Sequence, residues 1–201
     1  MKPDSIAYVV AGMCFGVILG WVIGVQQAGR GMLVPAPTAA AAPSSAPAAR
    51  QAPVLDEGRV QTLTAQVKRE PRNAGVAVEL ANVYFDADRW DDAIVWYEKA
   101  LELDPKNADA STDLGVSYYY TNRTDKALAR FEASLRINPK HAKTLLNKGI
   151  VLAFGKQDLE GATSEWQKVV TLAPDSEEGR AARRALEGVA AAHAGRANSA
   201  Q

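Results

Sequence analysis

Side chains able to do acid–base, nucleophilic or metal chemistry are few in this chain, and their spacing is unfavourable. His141 and His193 stand 52 positions apart, the first in a turn after Pro139 and the second near the end of the last helical run. Neither has a carboxylate or a nucleophile at a catalytic spacing. Cys14 is the single cysteine, which excludes an internal disulfide and any multi-thiolate zinc or iron–sulfur site. It sits inside an apolar run after Met13, a poor neighbour for lipidation, and reads as a small buried hydrophobe. Gly29-Arg30-Gly31 lacks the strand and the Gly-Lys-Ser/Thr ending of a phosphate loop. Asp86, Asp88, Asp91 and Asp92 crowd together as calcium ligands do, but the central glycine and the closing glutamate of an EF-hand are missing, so they read as a solvated turn entering a helix. Asn122-Arg123-Thr124 is a glycosylation sequon only in a eukaryotic secretory pathway and is otherwise a turn. With 23 basic and 23 acidic residues the formal net charge is zero, which argues against nucleic acid, whose phosphates call for a basic excess. The expectation is a protein without catalysis, metal or cofactor, acting through the surfaces its elements present.

Those elements are announced by the ten prolines. Five cluster at positions 35, 37, 43, 47 and 53, whereas Pro71, Pro105, Pro139 and Pro174 are spaced by 34, 34 and 35 residues, the period of a repeat. Ahead of both groups, Ile6 to Val25 gives twenty residues without a charge. A helix of that length matches a hydrocarbon core of about 30 Å. The run continues through Trp21, Val22 and Ile23, past the roughly 7–15 residues and small-x-small ending of a cleavable signal peptide. It is therefore expected to stay as a single-pass signal anchor, residues 6–25 after a short tail 1–5, with the N-terminus in the cytoplasm. Gly12, Gly16, Gly20 and Gly24 lie four apart on one face of that helix, where absent side chains let a second helix approach and a homo-oligomer form. The bland alternative is that glycine is simply common in membrane helices.

Residues 26–54 form an Ala/Pro-rich linker. Between Val34 and Pro53 it has nine alanines, five prolines, one charge and no aromatic ring, too little apolar surface to fold. At about 3.1 Å per residue in polyproline II it would hold the next domain up to roughly 60 Å from the bilayer.

Beyond the linker the repeated prolines align three copies. The first reads Leu80-Ala81-x-x-Tyr84, Ala93-x-x-x-Tyr97, Ala100 and Pro105; the second reads Leu114-Gly115-x-x-Tyr118, Ala127-x-x-x-Phe131, Ser134 and Pro139. The third reads Gly149-x-x-Leu152, Ala162-x-x-x-Trp166, Val169 and Pro174, with one extra residue between its halves. Each copy holds two amphipathic runs broken by turn-prone residues such as Asp86-Ala87-Asp88 and Thr121-Asn122-Arg123, the pattern of a helix hairpin. Ala81, Gly115 and Gly149 sit where paired helices must approach, and Tyr84, Tyr97, Tyr118, Phe131 and Trp166 fill the gaps between hairpins. The pattern resembles the tetratricopeptide repeat (TPR) family, which implies an all-α solenoid. The expected organisation is a capping helix in 55–72, TPR 1 in 73–107, TPR 2 in 108–141, TPR 3 in 142–175, a C-terminal capping helix in 176–193 and a disordered tail in 194–201, joined to one N-terminal transmembrane helix.

The resemblance also implies a function and a site. TPR proteins hold a peptide or partner helix in a concave groove lined by the first helix of each repeat. Carried onto this chain, that face includes Val78, Glu79, Asn82, Phe85 and Asp86, then Asp109, Thr112, Asp113, Val116, Tyr119 and Tyr120, then Lys143, Leu146, Asn147, Ile150, Ala153 and Phe154. Chaperone-binding members grip a terminal carboxylate with Lys, Arg and Asn. Asn82 and Lys143 fit that cluster but Val78, Asp113 and Asn147 depart from it, so a carboxylate clamp is not expected. Phe85, Tyr119, Tyr120, Ile150 and Phe154 instead suggest an apolar and aromatic strip beside acidic residues, suited to a segment with apolar anchors and basic flanks. The alternative is that the C-terminal helix or a tail covers this strip. The architecture of anchor, tether and repeats resembles bacterial inner-membrane proteins whose TPR domain is periplasmic and assists cytochrome c maturation, translocation or envelope assembly. Two readings follow: a membrane-tethered adaptor for a protein or peptide partner, or a structural membrane component that oligomerises through its glycine face.

Overall fold

The structure, a computed structural model, describes residues 53–199, with side chains up to His193; these residues belong to the second of two units, Arg50–Gln201. The expected membrane helix with Gly12, Gly16, Gly20 and Gly24, and the linker as far as residue 52, lie outside the described residues. Among the described residues no helix is long and apolar enough to cross a membrane.

Within the described residues eight helices follow one another: α1 Glu57–Arg69, α2 Ala74–Asp86, α3 Trp90–Leu103, α4 Ala108–Tyr120, α5 Thr124–Ile137, α6 Ala142–Gly155, α7 Leu159–Leu172 and α8 Glu177–Ser199. The pairs α2/α3, α4/α5 and α6/α7 are antiparallel hairpins, each packed on the next, with α1 against α2 and α8 against α7 and α6. This is the all-α solenoid expected from the repeat. The second helices α3, α5 and α7 stop two residues before Pro105, Pro139 and Pro174, as proline's loss of the N–H and its effect on the preceding residue require. Asn73 and Asn107 start α2 and α4 by accepting hydrogen bonds from Val76 N (3.3 Å) and Ala110 N (2.9 Å). In the third copy the equivalent residue is His141, which makes no such cap.

Each hairpin turns through one left-handed residue, Asp88, Asn122 or Gln157, with φ of 55°, 61° and 58°. In the first two the chain closes a Schellman motif: Arg89 N donates to Tyr84 O (2.9 Å) and Arg123 N to Tyr118 O (2.8 Å). The extra residue of the third copy lengthens α6 to 14 residues against 13 in α2 and α4, and the closing bond widens by one position, from Asp158 N to Leu152 O at 2.9 Å. Aspartate and asparagine tolerate left-handed backbone, but glutamine has no such compensation. Gln157→Gly is therefore expected to raise the unfolding free energy by about 0.5–1 kcal/mol, the relief of strain less the extra entropy of an unfolded glycine. Urea unfolding of the two chains reads this directly, and an unchanged or lowered midpoint would refute it.

The core runs along the array as three clusters. Leu63 of α1 packs with Val76, Leu80 and Val83; Ala81, Ile94, Tyr97, Leu114, Tyr118, Phe131 and Val151 join the first two hairpins to the third; Leu145, Ala162, Trp166, Val169 and Ala182 seat α8 on the third hairpin. Within a hairpin the helices meet at the expected small residues. A methyl carbon on Gly115 would stand 2.6 Å from the Phe131 ring, and one on Gly149 would collide with the Trp166 indole, so neither position has room for a side chain. The last helix runs to Ser199 rather than ending at His193, since the alanines and Arg196 in this stretch favour continuation; residues 200–201 lie outside the described residues.

Candidate peptide-binding groove

The first helices α2, α4 and α6 leave a concave cleft of about 310 Å³ between them, walled by Asn82, Phe85 and Asp86 from α2, Asp113 and Val116 from α4, and Lys143 and Asn147 from α6, with Tyr97 of α3 at its floor. Helical spacing explains the set. Phe85 and Asp86 lie three and four residues after Asn82, Val116 three after Asp113 and Asn147 four after Lys143, each set on one face of its helix, and the hairpin register brings the three faces together.

Polar contacts order the cleft. Tyr97 Oη donates to Asn82 Oδ1 at 2.6 Å, and Asn147 Nδ2 donates to the Lys143 carbonyl at 2.8 Å. Lys143 Nζ lies 2.7 Å from Asp113 Oδ1, but that oxygen is shielded from solvent and receives no well-directed hydrogen bond. Burial pushes the Asp113 carboxyl above its usual range, and the attraction of Lys143 only partly offsets this. Burial also drives the Tyr97 hydroxyl far upward, reinforced by the charges of Asp113 and Asp86.

Seven of the sequence-derived groove residues come together here: Asn82, Phe85, Asp86, Asp113, Val116, Lys143 and Asn147. Others take different places. Thr112 is fully buried and cannot meet a ligand; its hydroxyl lies 2.6 Å from Thr144 Oγ1, 3.0 Å from Ser134 Oγ and 2.8 Å from the Ala108 carbonyl, at the close approach of α4, α5 and α6. Val78 packs half-buried on the central cluster, and Leu146 and Ile150 on the C-terminal one. Tyr119 is half-buried, its hydroxyl raised by burial, and Tyr120, 58% exposed, stacks on Trp90 with ring centroids 4.3 Å apart. Phe154 is 41% exposed. The aromatic strip is thus continuous from Phe85, edge-on to Trp90 at 5.0 Å, through Trp90 to Tyr120 and Tyr119, along the edge where the hairpins turn. Trp90 and Tyr97 were missed because both belong to a second helix; pairing of the two helices of the first hairpin was the only signal for them.

The fold also gives His141 partners that its sequence spacing hid. Its Nε2 lies 3.1 Å from Asp109 Oδ1 and its Nδ1 2.5 Å from Thr144 Oγ1, a carboxylate–imidazole–hydroxyl line like that of a hydrolase. Thr144 is fully buried and already bonded to Thr112 and Ser134, so no carbonyl can reach it, and the line ties repeat 2 to repeat 3. Among the described residues no three His, Cys, Asp or Glu side chains are grouped to hold a metal ion.

Comparison with known proteins agrees with this geometry. Residues 81–121 match the family described as TPR repeat and residues 112–177 the family described as tetratricopeptide repeat. Among solved structures, the first TPR domain of human RPAP3 aligns with a TM-score of 0.56 and 28% identity over 64% of this chain and 98% of that one. The first TPR of Spaghetti (RPAP3), bound to the HSP90 peptide SRMEEVD, aligns with a TM-score of 0.54 and 27% identity over 60% and 93%. MamA shares the fold at a TM-score of 0.56 and 17% identity over 69% and 89%. No curated protein matches the sequence significantly.

Proposed function

We propose that the chain, whose residues 81–177 match tetratricopeptide-repeat families, is a membrane-tethered adaptor without catalytic activity, which holds a peptide or partner helix in the groove of α2, α4 and α6. The observation that carries the reading is the cleft itself, an open concave surface on which three successive repeats present Asn82, Phe85, Val116, Lys143 and Asn147 at once. Similarity to a TPR domain whose structure holds a peptide supports it. The tether rests on the uncharged run Ile6–Val25 and the Ala/Pro linker that follows. With that anchor, the adaptor would sit on a bacterial inner membrane with the repeats in the periplasm and serve an assembly or biogenesis process of the envelope.

The spacing of Gly12, Gly16, Gly20 and Gly24 favours a second reading, in which the membrane helix is the main actor and the repeats pack on copies of themselves. One experiment separates the two. Val116→Arg, at a half-buried position in the middle of the cleft, is expected to reduce partner capture from native membranes by tenfold or more, roughly the loss of one hot-spot contact; since Val116 also packs on the central core cluster, circular dichroism must show the variant folded. Deletion of residues 6–25 should leave capture intact. If the deletion abolishes assembly and Val116→Arg has no effect, the second reading stands.

A further inference from the structure

Building on the groove as the binding surface, we propose that its polar end is a subsite for one cationic side chain, the ammonium or guanidinium of an extended segment in a partner protein, and that Lys143 fills this subsite when no partner is bound.

Charge gives the first reason. The cleft is lined by the carboxylates of Asp86 and Asp113 against the ammonium of Lys143, while Asp109, outside it and exposed, pairs with His141. Carboxylates around a concave, partly desolvated surface concentrate the field there and raise the local concentration of cations.

The hydrogen-bond inventory gives the second. Tyr97 occupies the Asn82 oxygen and the Lys143 carbonyl takes one N–H of Asn147, which leaves the amide donors of Asn82 and Asn147 beside the charged acceptors Asp113 and Asp86. A carboxylate ligand would be repelled by both. An apolar side chain would leave Asp113 Oδ1 buried without an aligned donor, and a neutral polar one would bring a donor but no charge to match the carboxylates. A guanidinium presents a planar fork of N–H donors that suits carboxylate oxygens, and Phe85 and Val116 in the same cleft give its aliphatic stem an apolar wall.

Lys143 gives the third. Its side chain is 42% exposed on a flexible stem, whereas that of Asp113 is 13% exposed and fixed in the floor. The ammonium can swing into solvent while the carboxylate stays, so an incoming cation exchanges for Lys143 with no change in the charge of the cleft. Lys143 is on this view an internal competitor, and its removal strengthens binding instead of weakening it.

The probe is a library of random heptapeptides displayed with free carboxyl termini and selected on the full-length chain in detergent micelles. Selected peptides should carry Lys or Arg at one fixed position beside apolar residues, and be depleted of Asp and Glu. Exchange of that residue for glutamine within the peptide, or Asp113→Asn in the protein, should weaken binding by about tenfold or more, the effect of a lost charge-assisted hydrogen bond, while Lys143→Ala should tighten it several-fold. Enrichment of acidic peptides, of terminal carboxylates or of uncharged sequences overturns the cationic subsite and leaves the groove in place, as does weaker binding in Lys143→Ala. Failure to select any peptide, or selection of peptides indifferent to Val116→Arg, overturns the groove reading and the subsite with it.

Discussion

Phe131→Ala is expected to lower the unfolding free energy by about 3–5 kcal/mol, among the largest losses a single truncation can produce. The ring is fully buried, lies against the bare backbone of Gly115, and belongs to the cluster in which Tyr97, Leu114, Tyr118 and Val151 meet. Those neighbours come from all three hairpins, so the truncation opens a cavity at the middle of the stack, which no single helix can close by shifting. In a repeat array stability is roughly a sum of unit and nearest-neighbour interface terms. Weakening the central unit should therefore lower the midpoint and also uncouple the two ends. The tryptophans make this visible, because Trp90 and Trp96 lie in the first hairpin and Trp166 in the third. Urea unfolding followed by circular dichroism and by fluorescence of chains that keep only one of these groups should give coincident transitions for the native core and separated ones for Phe131→Ala. A loss below roughly 1 kcal/mol, the scale of an ordinary surface change, would mean that Phe131 does not join the hairpins.

How far the sequence disclosed this arrangement depends on whether a feature is local. The proline period and the small residues Gly115 and Gly149 are local signals, and the hairpins and their close contacts on Phe131 and Trp166 follow from them. The turns were visible at Asp88 and Asn122, residues suited to left-handed backbone, and not at Gln157, where the hairpin register imposes that conformation on a residue that does not favour it. For the groove, helix-face arithmetic reached the right face but not the fate of each side chain. Thr112 occupies a groove position by count, yet its short branched side chain bends into a buried hydroxyl cluster with Ser134 and Thr144. Tyr97, on the partner helix, reaches the cleft floor through its hydroxyl. The Asp109–His141–Thr144 line joins residues up to 35 positions apart, and only the packing of α4 on α6 brings them together.

Asp113→Asn should make the domain more stable near neutral pH while it weakens binding of a basic segment, two effects of opposite sign. Burial raises the Asp113 carboxyl above its ordinary range, against the pull of Lys143. A carboxyl whose folded pKa exceeds its unfolded value, about 3.9 for aspartate, contributes stability that is fully present below the unfolded value and lost as pH rises through the folded one. At pH 7 the native protein bears the cost of this raised carboxyl in a poorly solvated place, and asparagine, close in shape and neutral, does not. The melting temperature of the variant should thus exceed that of the parent at pH 7, and the gap should close as pH falls towards the ordinary aspartate value, where the parent carries the proton too. Comparing the two chains at each pH cancels the titration of the other carboxylates. A side chain that lowers stability where it stands is better explained by what it binds than by what it holds together. If asparagine melts lower at pH 7, the attraction of Lys143 outweighs burial, Asp113 is a structural ion-pair partner, and the case for a vacatable cation subsite loses its energetic basis.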